Sequence, residues 1–176
     1  MPIETVHLLL LPYSPAQLLA LIDGVEHFEQ LIGLTAATGL GDFMRSDDVS
    51  PAWVARLRTS TVADPWTHGF AVVHRETRLV IGSAAFKGPP DDAGEVEIAY
   101  GIVPDYQGRG YATEAASALV SFAFESGRVN QVRAHTLPAA NASTRVLTKC
   151  GFKYTGEIVD PEDGLVWRWE LAKASD

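Results

Sequence analysis

The chain has 176 residues, 47% of them hydrophobic and 20% charged, so it can bury one ordinary globular core and does not have the composition of a disordered segment. Its net charge of −8 excludes a sequence-independent nucleic-acid binder, which needs a basic surface, and is compatible with a cationic acceptor such as an amine. No apolar stretch approaches the roughly 20 residues that span a bilayer, and the run Leu8-Leu9-Leu10-Leu11 lacks the basic flank and cleavage site of a signal peptide, so no membrane role is expected.

Val6 to Tyr13 is apolar enough for an opening strand. Ser14-Pro15-Ala16-Gln17 has the form of a capping box, with Ser14 as cap, Pro15 in the first helical position and Gln17 reaching back. Leu18, Leu19, Leu21 and Ile22 supply the apolar face of that helix. Gly33 to Asp48, rich in Gly, Asp and small residues, reads as a loop or broken helix. Ser50-Pro51 then repeats the helix-start signal ahead of Trp53, Val54 and Leu57. From Phe70 the pattern changes to strands: Phe70 to Val73 and Leu79 to Phe86, with a turn near Arg75 to Arg78. Gly88 to Gly94 is a loop, Glu95 to Val103 the next strand, and Pro104 stops its ladder. Thr113 to Ser126 is a helix ended by Gly127, and Gln131 to Leu137 a strand. Asn141 to Cys150 is a short helix closed by Gly151, and strands around Phe152 to Val159 and Leu165 to Leu171 finish the chain. No repeat or linker divides it. Residues 1–176 therefore read as a single mixed α/β (α+β) domain on a largely antiparallel sheet of about six or seven strands, with a strand–helix–strand crossover.

The informative stretch runs from Gly94 to Ala115, where a strand enters a Gly-rich turn and passes straight into a helix. That arrangement leaves backbone N–H groups unpaired at a helix N-terminus, an anion site suited to a phosphate or pyrophosphate. Gly108 and Gly110 let the backbone approach the anion, and Arg109 adds positive charge. Ala112, Ala115, Ala116, Leu119 and Ala123 form a narrow face that holds the helix close to the sheet. A Walker loop is excluded because no Gly-Lys-Ser/Thr is present, and a dinucleotide fingerprint because Thr113 stands where the third small residue belongs.

Gln107-Gly108-Arg109-Gly110-Tyr111-Ala112 matches the Q/R-x-x-G-x-G/A signature of the GNAT superfamily of N-acetyltransferases, and Glu97 to Ala115 resembles that family's fourth strand, pyrophosphate loop and following helix. Asn141 to Phe152 resembles its next conserved helix. Tyr111-Ala112-Thr113-Glu114-Ala115, with Ser143, Lys149 and Gly151-Phe152, resembles the ribosomal-protein N-terminal acetyltransferase subgroup. One departure stands out: that subgroup's helix opens Asn-x-x-Ser, whereas Asn141 and Ser143 are two apart here.

The resemblance implies a fold in which a splayed strand pair takes up acetyl-CoA, and direct attack of an amine on the thioester. It places the pyrophosphate on the amides of Gln107, Gly108, Arg109, Gly110, Tyr111, Ala112 and Thr113. The pantetheine arm falls on the main chain of Ile102 and Val103, with Asn141 and Ser143 as further contacts. Backbone donors of this kind supply roughly a few kcal/mol to a transition state. Deprotonating the acceptor at neutral pH costs about 1 kcal/mol for an α-amine and about 4–5 kcal/mol for a lysine. Glu97 is the candidate general base, with an exposed strand carboxylate as the plain alternative and Glu95 in reserve. Ser143 is the candidate donor to the leaving thiolate, or a helix N-cap or arm contact; Tyr106 and Tyr154 are the other hydroxyls in view.

The remaining residues read more simply. Trp167 and Trp169 share a face and are assigned to core or homodimer packing ahead of an acceptor pocket; Trp53 and Trp66 line the acceptor side or pack. Cys150 is the sole cysteine, which suits a reducing cytoplasm and excludes an internal disulfide, and no histidine spacing suggests a metal site. The leading expectation is an acetyl-CoA-dependent N-acetyltransferase acting on a peptide N-terminus or small amine. A donor such as succinyl-CoA and a non-catalytic CoA-binding regulatory module are the alternatives.

Overall fold

Helix starts fall where the side chains can close them. In the computed structural model of the chain, which describes residues 1–44, 50–161 and 163–174, β1 (Ile3–Glu4) and β2 (Leu8–Pro12) lead into α1 (Pro15–Asp23). The Gln17 N–H donates to Ser14 Oγ at 3.1 Å and the Ser14 N–H to Gln17 Oε1 at 3.0 Å, so the capping box is complete. A separate helix, α2 (Val25–Ile32), follows across Gly24, a break that the hydrophobic pattern alone does not reveal. Within the expected loop lie β3 (Thr35–Ala36) and a 3-10 turn at Leu40–Met44; its residues 45–48 lie outside the described residues. Ser50 caps α3 (Pro51–Thr59) through the Trp53 N–H at 3.2 Å. Asp64 caps a further short helix, α4 (Pro65–His68), through Trp66 N–H and the Thr67 hydroxyl.

The sheet has nine strands in the order β1-β2-β4-β5-β6-β7-β9-β8, with β3 paired to the start of β5. Here β4 is Phe70–His74, β5 Leu79–Phe86, β6 Glu95–Ile102, β7 Gln131–Thr136, β8 Lys153–Asp160 and β9 Gly164–Ala172. The two strands beyond the expected seven are the two-residue β1 and β3. All pairings are antiparallel except β3–β5 and β6–β7. The crossover from β6 to β7 is α5 (Tyr111–Glu125), and α6 (Ala142–Lys149) connects β7 to β8.

Ala115, Ala116, Leu119 and Ala123 are fully buried, so α5 lies against β6 through methyl groups and one leucine. A leucine buried to this degree contributes about 1.5–3 kcal/mol. Phe122 of α5 packs with Phe86 of β5 and Trp66 of α4, which fixes this face of the sheet as core. On the other face Tyr13 shares a 2.6 Å hydrogen bond with Ser83 and meets Phe28 of α2 edge-on; burial pushes the Tyr13 phenol up to about 12.

β5 and β6 approach most closely at Gly82. A Cβ there would stand 2.1 Å from the Gly101 carbonyl oxygen, a backbone atom that cannot yield without moving β6. Gly82→Ala is therefore expected to destabilise the fold by about 2 kcal/mol or more, read as a lower urea midpoint at unchanged slope.

Candidate functional site

β6 and β7 begin side by side and then part. Their parallel pairing covers Glu95–Glu97 against Gln131–Arg133 and stops, although β6 continues to Ile102 and β7 to Thr136. On its other edge β6 stays paired with β5. The Lys87 N–H donates to Glu97 O and the Val103 N–H to Ile81 O, so the alternate residues between them, Ala99 and Gly101, also face β5. Ile98, Tyr100 and Ile102 consequently turn their main-chain groups toward the gap. On β7 the Lys173 N–H donates to Asn130 O, which by the same alternation turns His135 toward the gap.

The gap opens onto the Gly-rich turn. A 3-10 turn at Pro104–Tyr106 ends with the Gln107 N–H donating to Pro104 O, and the Glu114 N–H donates to Gly110 O. Among the described residues, no protein acceptor is recorded for the N–H groups of Gly108 to Thr113. Gly108 and Gly110 have φ of +76° and +86°, conformations that a side chain resists, and the turn from Gln107 to Gly110 is exposed. The Gln107 side-chain amide donates to Ile102 O at 2.8 Å and braces the turn against the end of β6. Arg109 lies 5.2 Å over the Tyr106 ring, and Tyr106 and Tyr111 both pack on buried His74. Because the Thr77 N–H claims His74 Nδ1, the Nε2–H donates to Tyr111 Oη at 3.0 Å.

At the apex, where the strands part, charged side chains converge on the face away from α5. Glu97 lies 3.1 Å from His135 Nδ1, 3.3 Å from Lys87 Nζ and 3.9 Å from Arg133 Nε. Glu95 pairs with Arg133 at 2.6 Å and approaches Arg168 at 3.9 Å; Arg168 also meets Glu170 at 3.8 Å. Burial opposes the charge on Lys87, but Glu97, Asp163 and Asp160 outweigh it and raise the ammonium's pKa. Two buried atoms here, His135 Nε2 and Arg168 Nε, have no partner. His135 and Arg168 face each other in the β7–β9 ladder. Among the described residues, no cluster of three or more His, Cys, Asp or Glu is placed to hold a metal, and no helix is long and apolar enough to cross a membrane.

The profile of the acetyltransferase (GNAT) domain family matches residues 20–153. The chain belongs to the GNAT acetyltransferase family. It is 30% identical over 93 residues to an uncharacterised N-acetyltransferase, p20, of Bacillus licheniformis, over 53% of this chain and 52% of that protein. It is 29% identical over 99 residues to YjdG, an uncharacterised N-acetyltransferase of Bacillus subtilis, over 54% of this chain and 59% of that protein. The chain thus spans about half the length of the curated relatives it matches. Its fold is that of ribosomal-protein-S5-alanine acetyltransferase from Vibrio fischeri, with a TM-score of 0.65 at 15% identity over 98% of this chain and 96% of that one. The ribosomal L7/L12 acetyltransferase RimL, solved in complex with coenzyme A, superposes with a TM-score of 0.65 at 13% identity over 98% of both chains.

Within this GNAT domain several expected residues fall elsewhere. Val103 is buried, its N–H held by Ile81 O and its C=O accepting from the Tyr106 N–H, so its main chain has nothing left for a cofactor arm. The Ile102 carbonyl is taken by Gln107, which leaves its N–H. Asn141, not Ser143, caps α6: the Thr144 N–H donates to Asn141 Oδ1 at 3.0 Å and the Asn141 N–H to Thr144 Oγ1 at 2.9 Å. The Asn-x-x-hydroxyl spacing is thus met by Thr144, and Ser143 stands exposed in the first turn. Trp66 is buried in the core, and Trp169 is buried with its indole N–H donating to Thr136, so neither lines a pocket. His135, Lys87, Arg133 and Arg168 escaped the sequence reading. Only the alternation of Gln131, Arg133 and His135 on β7 against Glu95 and Glu97 on β6 could have signalled them.

Glu114, in the first turn of α5, ties the chain's start to this site. Burial raises its carboxyl's pKa, but the Thr5 hydroxyl, the His7 ring and the His7 N–H outweigh burial and hold it below the ordinary range. A lowered carboxylate pKa stabilises the fold above the unfolded value of about 4.3 and loses that contribution as pH falls through the folded value. Urea midpoints measured from neutral to acid pH should therefore drop more steeply for wild type than for Glu114→Gln.

Proposed function

We propose that the chain moves an acetyl group from acetyl-CoA to an amine, a peptide N-terminus or a small amine, by direct attack on the thioester. One observation carries the reading: the parting of β6 from β7 runs straight into an exposed turn whose N–H groups from Gly108 to Thr113 have no partner among the described residues. The turn suits a pyrophosphate, with Arg109 and the dipole of α5 adding to its attraction. The gap suits an extended amide-bearing arm, because Ile98, Tyr100 and the Ile102 N–H can pair with it as a strand would. Ile98 to Ile102 spans about 13 Å at the usual strand rise, enough to bring the donor's thioester close to the apex.

An acetyl donor fits the apex better than succinyl. Lys87, Arg133 and Arg168 gather there, but Glu95, Glu97, Glu170, Asp91 and Asp163 answer them, which leaves no surplus positive charge for an acyl carboxylate. Ser143, exposed at the start of α6, remains the candidate to protonate the leaving thiolate, and Glu97 belongs to the machinery that deprotonates the amine. Asn141 keeps a place beside the arm only through its main chain, since its side chain caps the helix. A lone, half-buried Cys150 suits a reducing cytoplasm. The Trp167 and Tyr154 rings, packed edge-on near the surface of β8 and β9, are the patch on which a homodimer would be sought.

Purified protein with acetyl-CoA and a panel of amines and peptides should release thiol with at least one acceptor. Gly110→Val removes the left-handed conformation that opens the turn, and is expected to weaken CoA binding at least about tenfold by calorimetry. Wild-type protein that neither binds CoA saturably nor releases thiol would rule the reading out.

A further inference from the structure

We propose that the proton of the acceptor amine is taken by His135 Nε2, and that Glu97 acts on the reaction through His135. The inference rests on the acetyl-transfer reading and assigns its base. His135 is largely buried on β7, two residues past the last β6–β7 pair, and its ring reaches across the apex to bring Nδ1 within 3.1 Å of Glu97. A carboxylate beside Nδ1 favours the tautomer protonated there, which leaves a lone pair on Nε2. That nitrogen is buried and has no partner in the protein, and so is Arg168 Nε, on the residue opposite in the ladder. Buried polar atoms are nearly always paired, so two orphans on facing residues are two hydrogen bonds that the described residues leave unmade. Glu97, by contrast, is already engaged by His135, Lys87 and Arg133, which makes it the poorer proton acceptor. Ser83, Ala85, Ala99 and Gly101 carry small side chains on the same face and leave room for an acceptor beside the apex.

The step balances without another reactant. Nε2 removes one proton from the acceptor ammonium, and the freed nitrogen lone pair forms the C–N bond at the thioester carbonyl. As the C–S bond breaks, the departing thiolate takes the Ser143 hydroxyl proton while the second N–H proton replaces it on Ser143, and the imidazolium returns its proton to solvent. The charges around His135 are Glu95 and Glu97 from β6, Lys87 from β5, Arg133 on its own strand, and Arg168 and Glu170 from β9, with Asp160 and Asp163 acting through Lys87. The acid limb of the pH–rate profile thus reports the whole cluster.

The test uses the acceptor that wild type turns over. His135→Gln should lower kcat by about a hundredfold or more while the Kd for CoA stays within about twofold. Added imidazole should restore turnover to His135→Ala with saturation and a pH dependence of its own. Glu97→Gln should cost about tenfold and shift the acid limb without abolishing it. Retention of CoA binding shows that each variant is folded; His135→Asn replaces any that is not. The proposal is overturned if His135→Gln keeps kcat within about threefold, or if imidazole rescues nothing while Glu97→Gln alone removes the limb. Wild type that binds no CoA would instead remove the transferase reading, a result distinct from either.

Discussion

Buried main-chain polar groups need partners, and the structure turns on the one place where the sheet withholds them. β6 is held on one edge by β5 as far as Val103, yet on the other it leaves β7 after Glu97. A sheet interrupted in this way is costly unless something else completes it. The opening is fixed by features on both sides. Gln107 ties the turn back to Ile102, and small residues seat α5 on β6, so the turn stands rigidly at the mouth of the gap. Once the strands part at that level, the positions of the Gly-rich turn and of the unpaired edge of β6 follow.

The second constraint is electrostatic. Bringing Glu95, Glu97, Glu170, Lys87, Arg133 and Arg168 onto one part of a sheet strips water from each, a cost offset only by close mutual pairing. Each of these charges lies within 3.8 Å of an opposite one. Among the described residues, His135 Nε2 and Arg168 Nε are atoms of the cluster that are buried without a hydrogen-bond partner.

The N-terminal segment takes part in this arrangement from a distance. Thr5 and His7 bind Glu114, and His74 at the end of β4 holds Tyr111, so the first turn of α5 is pinned at two points. The turn can thus present exposed, strained backbone without the helix behind it fraying.

Local structure was legible in the residues. Ser14 and Ser50 announce their helices because a cap needs only a side-chain oxygen within a few residues. The Gly108-Arg109-Gly110 sequence announces a turn with positive φ ahead of a helix because both are local properties. The short apolar runs of Phe70 to Val73 and Leu79 to Phe86 give their strands for the same reason. What depends on residues far apart in the chain was decided only in three dimensions. The break at Gly24 and the short β1 and β3 exist through packing and pairing with distant partners. Register also decided that the Val103 N–H is taken by Ile81 O. His135 is a scattered histidine in the sequence and part of the apex in the fold, because strand order, which no local pattern encodes, sets β7 between β6 and β9.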